Sequence, residues 1–82
     1  SNKMETWNDK IYKIIEQSNR PFITLKEIYE KIKQDKLVTK YHLEPWKPGK
    51  QPRYECWTRR CLTKLINEKR IKRVATGKYT RM

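Results

Sequence analysis

Pro52–Met82 reads PRYECWTRRCLTKLINEKRIKRVATGKYTRM, one amphipathic helix followed by a short β-hairpin. At about 100° per residue, Tyr54, Trp57, Cys61, Leu62 and Leu65 fall on one side, spaced i, i+3, i+7, i+8 and i+11. Cys56, Arg59, Arg60, Thr63 and Asn67 fall on the other, with Arg53 and Lys64 at its edges. The aromatics are expected inside and the guanidinium groups outside. Such a face is either plain solvated surface or a set of donors and short hydrogen-bonders suited to a DNA major groove.

The segment that follows favours the second reading. Ile71, Val74 and Tyr79 are strand formers interleaved with Lys72, Arg73, Lys78 and Arg81, and Gly77 stands where a tight turn needs positive φ. From Arg53 onward there are ten Lys and Arg against two acids, a net of +8, whereas residues 1–52 hold eleven against seven, a net of +4. Positive charge is therefore concentrated on the helix and hairpin.

The whole chain has 82 residues and a net charge of +12. That length supports one small domain, and that charge predicts an anionic partner. Nucleic acid is favoured over a membrane surface, because the apolar periodicity is used up on a core and no amphipathic segment is left for a bilayer. No run of about 18 apolar residues exists to span one. Ser1-Asn2 reads as the remnant of a cleaved tag, so residues 1–5 are expected to form a flexible N-terminus and residues 6–82 the domain. No signal peptide is visible, and a further domain in a longer parent protein is compatible with this reading. Cys56 and Cys61, five positions apart on one helix, point to different faces and do not pair. This predicts a reducing, intracellular setting, bacterial cytoplasm or nucleus. One His and two divergent Cys supply no four-ligand zinc set, so neither metal nor cofactor is expected.

Upstream, Thr6 is an expected N-cap with Asp9 in the first turn. Trp7, Ile11, Ile14, Ile15 and Ser18 mark one face of a first helix, ending near Ser18-Asn19 because Pro21 disfavours helix before it. Pro21-Phe22-Ile23 is too short for a free strand, but it can bridge to the hairpin in a small three-stranded sheet. Thr24-Leu25-Lys26-Glu27 is a capping box opening a second helix with Leu25, Ile28, Tyr29 and Ile32 on one face. Residues 36–52 carry Pro45, Pro48, Gly49 and Pro52, which predict a long loop. Tyr41, His42 and Trp46 within it either stack on a base or pin the loop to the body, with pinning favoured for Trp46. His42 is read as a surface residue.

This order resembles the winged-helix branch of the helix-turn-helix DNA-binding domains over about Thr6 to Met82. The resemblance is carried by Trp7 with Ile11 and Ile14, by Phe22-Ile23-Thr24-Leu25-Lys26-Glu27-Ile28-Tyr29, by Arg59-Arg60-x-Leu62-x-x-Leu65, and by Gly77-Lys78-Tyr79. In detail it looks like the accessory winged-helix domains of modification-dependent restriction endonucleases of the Dam-replacing type. It implies an α+β, mostly α fold, with three helices and a small antiparallel β-hairpin wing. By position, residues 53–67 would be the recognition helix and residues 70–81 the wing. The long loop before that helix departs from the most compact members.

No catalytic constellation is found. The two glycines, Gly49 and Gly77, lie in separate turns and make no phosphate loop. Glu27, Glu30, Glu55 and Glu68 are spread over helix surfaces with Lys or Arg nearby. The chain is therefore expected to be a binding module for double-stranded DNA and not itself an enzyme. Arg59, Arg60, Thr63 and Asn67 are the expected base-edge contacts, Arg by paired bonds to guanine and Asn to adenine. Cys56 on the same face either meets a base methyl or fills space. Arg53, Lys64, Lys69, Arg70, Lys72, Arg73, Lys78 and Arg81 are the expected backbone or wing contacts. Competing expectations are a winged helix that binds an acidic protein and an accessory DNA-sensing domain of a nuclease. RNA binding is disfavoured, since it needs aromatics exposed on a sheet.

Overall fold

Two local signals start the fold. In the computed structural model, which describes residues 6–18 and 20–82, Thr6 and Asp9 form a capping box at the start of α1, Trp7–Glu16. Thr24 and Glu27 form another at the start of α2, Leu25–Lys33. Each box satisfies helix N–H groups that would otherwise face the chain end unpaired. Helix α1 closes at Glu16 with Gln17 as its C-cap, slightly earlier than the sequence predicts. Asn19 and the expected tag remnant at residues 1–5 lie outside the described residues.

A short helix α3, Lys40–Leu43, interrupts the expected loop. Its first turn is held by the Thr39 N–H, which donates to His42 Nδ1 at 3.0 Å. His42 is therefore half-buried and structural, where a surface position is expected from sequence. The rest of the loop is also closed. Pro45 and Pro52 face each other as an antiparallel bridge, the Arg53 N–H donates to the Glu44 carbonyl at 3.0 Å, and Gly49 turns the chain at φ 82°.

Helix α4, Arg53–Asn67, ends in a Schellman turn. The Lys69 N–H donates to the Ile66 carbonyl and the Arg70 N–H to the Leu65 carbonyl, both at 3.0 Å. Lys69 takes the left-handed position, φ 60°, that glycine usually fills. The chain then runs into strands β2, Ile71–Ala75, and β3, Lys78–Arg81, around Gly77 at φ 69°. Strand β1, Ile23–Thr24, pairs with β3, giving an antiparallel sheet in the order β1-β3-β2. The fold is thus α+β, with four helices and a three-stranded sheet among the described residues. The expected hairpin gains β1 at its edge, and the expected three helices gain α3.

The core lies where the long helices meet the sheet. Ile11 and Ile15 of α1, Ile23 of β1, Ile28 and Ile32 of α2, Tyr54, Leu62 and Leu65 of α4, Ile71 and Tyr79 form one buried cluster. Thr58 is fully buried among them. The inner stripe of α4 therefore runs Tyr54, Thr58, Leu62 and Leu65. Trp57 and Cys61, expected inside, are only half-buried. The stripe is rotated toward Thr58 because Trp57 is taken up by aromatic neighbours at the edge of the helix. No helix among the described residues is long and apolar enough to cross a membrane.

Candidate nucleic-acid interface

Opposite its buried stripe, α4 exposes Arg59, Arg60, Thr63, Lys64 and Asn67, with Cys56 and Arg53 half-buried at its N-terminal end. Of the expected outer face, Arg59, Arg60, Thr63 and Asn67 are exposed, whereas Cys56 is half-buried. The helical period explains this: a stripe centred near Thr58 leaves these positions on the far arc.

Arg59 and Arg60 nevertheless serve different flanks. Arg59 donates to the Gln51 side-chain carbonyl and approaches Cys56 Sγ at 3.6 Å. On the same flank stands Tyr29 of α2, whose phenol is pushed up to about 12 by burial, with the Arg59 guanidinium pulling the other way. Arg60 lies on the opposite flank, where it lines a cleft with Tyr41, Trp46, Arg53, Cys56 and Trp57 and a shallower one with Trp7, Trp57 and Cys61. Burial raises the Cys61 thiol above its ordinary value, and Lys64 and Arg60 only partly offset this. The two cysteines are free thiols. Thr63 spends its hydroxyl on the Arg59 carbonyl at 3.2 Å, which leaves its oxygen lone pairs for an outside donor.

The aromatic edge of α4 is built from three elements. Trp7 of α1 meets Trp57 edge to face at 5.4 Å, and His42 of α3 meets Trp57 at 4.8 Å. Tyr41 joins them at 6.5 Å from Trp57. Arg53 stacks over Tyr41 at 4.0 Å and donates to its carbonyl at 3.0 Å. Trp46 does not pin the loop to the body as expected. It is 52 % exposed, with Lys47 and Lys50 within 5.0 and 5.9 Å of its ring centre. Gln51 carries no motif signal; it and Tyr41 acquire their place beside the arginines and Trp57 only when the loop closes on α4.

The hairpin cations divide between two faces. Antiparallel partners share a face, so the register Arg73↔Tyr79 and Ile71↔Arg81 puts Arg73 and Arg81 on the side of the sheet that carries the core. Lys72, paired with Thr80, and Lys78 take the outer side. All four are exposed, and Val74 occupies a bulge between Arg73 and Ala75. Lys78 stands 4.9 Å over the Phe22 ring. Arg70 turns back onto α1, its guanidinium 4.2 Å over Tyr12. Lys69 is exposed at the corner between α4 and β2. Among the described residues, no three His, Cys, Asp or Glu are grouped to hold a metal ion. Set beside known protein families, curated proteins and solved structures, the chain has no significant match in any of the three.

Proposed function

We propose that this chain is a DNA-binding module of the winged-helix type, laying α4 in the major groove and the β2–β3 hairpin along the backbone or minor groove. One observation carries the reading. Arg59, Arg60, Thr63, Lys64 and Asn67 lie together on the exposed arc of α4, and the four cationic residues of the hairpin are exposed as well. The element order supports it, since a helix followed by an antiparallel hairpin at the end of the chain is what the winged-helix resemblance implies. Arg59, Arg60 and Asn67 are the groups offered to base edges. Lys64, Lys69, Lys72, Arg73, Lys78 and Arg81 are offered to phosphates, which supply most of the affinity by releasing counterions. The module binds and does no chemistry of its own. An accessory DNA-sensing role beside a nuclease is the same mechanism with another domain attached.

Gel-shift titration of a random duplex at two salt concentrations tests this. With roughly six phosphate contacts, affinity falls by about 10³ between 50 and 200 mM salt. Salt-independent or absent duplex binding, together with capture of an acidic protein, replaces DNA by a protein partner.

A further inference from the structure

The cleft at the N-terminal half of α4 is a second feature of this surface, sharing Arg53, Cys56 and Arg60 with its outer arc. Tyr41, Trp46 and Trp57 supply aromatic walls, and Arg53 and Arg60 supply charge, around a volume of about 300 Å³. That is the small end of ligand-sized sites, with room for one flat ring system. Tyr41 and Trp46 are 53 % and 52 % exposed, an expensive arrangement for large apolar groups unless something covers them.

Charge identifies the occupant. Lys47 and Lys50 add two cations beside Trp46, and among the described residues no carboxylate lines the cleft. An aromatic cage for a cationic ligand needs open π faces without competing cations; here four positive groups stand against such a ligand. A flat, π-stacking group that carries negative charge fits both features, and a nucleotide is that group. A base inside an intact duplex cannot reach the aromatic walls, because its faces are already stacked on its neighbours.

We infer that this cleft receives an unpaired base of a nucleic-acid strand, stacked on Trp46, with Lys47 and Lys50 on its phosphate and Arg60 between the cleft and the duplex. The inference rests on the DNA-binding reading above and extends it: α4 meets the duplex, and the cleft on its flank takes a base from an overhang or bulge beside it. Stacking is tolerant of base identity, since every base has a π face. Selectivity is therefore for unpaired structure over sequence.

Fluorescence anisotropy with a blunt duplex, the same duplex carrying a short 3′ overhang, and a single strand tests the idea on wild type, Trp46→Ala and Trp46→Phe. Trp46 is half-exposed and outside the buried cluster, so both variants keep the fold, which circular dichroism checks. Wild type prefers the overhang duplex by roughly fivefold or more, the scale of one stacked base. Trp46→Ala removes that preference while blunt-duplex affinity stays within about twofold, and Trp46→Phe retains most of it. Equal binding of blunt and overhang duplexes overturns the cleft assignment and leaves the duplex reading standing. An equal loss on both duplexes in Trp46→Ala also overturns it, making Trp46 a general contact. Trp46-dependent binding of the single strand with no duplex binding supports the cleft and overturns the duplex reading. No binding to any of the three overturns both.

Discussion

The Thr58 hydroxyl donates to the Tyr54 carbonyl at 2.7 Å, one turn back along α4, and both residues are buried on the same stripe. A hydroxyl can enter an apolar core when its donor is satisfied this way, and the carbonyl keeps its own helical N–H partner. Thr58→Val therefore changes stability by no more than about 1 kcal/mol. Thr58→Asp, which buries an unpaired charge, costs on the order of several kcal/mol. Thermal melts followed by circular dichroism separate the two. A Thr58→Asp variant that melts like wild type means the stripe has been assigned to the wrong phase.

Trp57 joins α1, α3 and α4 through its contacts with Trp7 and His42. Full burial of a Trp makes truncation cost about 3–5 kcal/mol. Half-burial reduces the expected loss for Trp57→Ala to about 2–3 kcal/mol, or roughly 10–20 °C in midpoint. The domain should weaken without failing to fold. Because the rings touch, Trp7→Ala combined with Trp57→Ala loses less than the sum of the single losses. Strict additivity in the double-mutant cycle contradicts the contact.

Lys69 holds a left-handed backbone with a side chain attached. Replacing it by glycine relieves that strain, so Lys69→Gly gains up to about 1 kcal/mol. The same change withdraws a cation offered to phosphate, so the salt slope of duplex binding falls by about one. Stability and affinity move in opposite directions, a result read from paired melts and titrations. A lower midpoint for Lys69→Gly rules out strain at this turn.

Arg59 and Arg60 sit on opposite flanks of the exposed arc, so their losses are expected to differ in kind. Arg59→Ala costs about 1–3 kcal/mol and relaxes base preference at one position of the duplex. Arg60→Ala costs a similar amount on duplex and further weakens binding where an unpaired base is present. Lys72→Ala weakens all duplexes alike, as a phosphate contact does. A panel of duplexes differing at single positions distinguishes these patterns; identical profiles for all three variants leave α4 no reading role.

Two carboxyls set an acid limit. Asp9 is held below the ordinary value of 3.8 by the Thr6 backbone N–H first and the Thr6 side chain second. Burial pushes Asp35 upward, but the Leu37 N–H and Lys10, 3.2 Å away, outweigh it and hold it below 3.8 as well. The unfolded chain therefore binds more protons than the folded one near the unfolded value. These groups contribute fully above that value, and their contribution is lost as pH falls through it toward the folded one. Urea midpoints drop as pH falls below about 5, and the pair Asp9→Asn with Asp35→Asn flattens the drop. An unchanged slope in the double variant assigns the acid sensitivity to other groups.

Much of this molecule is written in contiguous residues. The Thr6 N-cap, the box Thr24–Glu27, the Gly77 turn and the exposed arc of α4 each depend on backbone demands within a few positions and are legible in the sequence; that Asp9 closes a second box with Thr6 is seen only in the structure. A bridge from Pro21-Phe22-Ile23 to the hairpin is also open in the sequence, but the register that forms, Ile23↔Tyr79 and Thr24↔Lys78, joins distant residues and is set by the tertiary structure. The places of Trp57, Thr58 and Trp46 are not legible. A period of about 3.6 residues names a helix face only to within a neighbouring position, and polar Thr58 offers no apolar signal to correct it. Which edge of α4 meets Trp7, His42 and Tyr41 depends on how α1 and the closed loop approach it from tens of residues away. The helical step of about 100° already sets Arg59 and Arg60 apart; the packing decides that the Arg60 flank meets Trp57, Tyr41 and Trp46 while the Arg59 flank meets Gln51 and Tyr29.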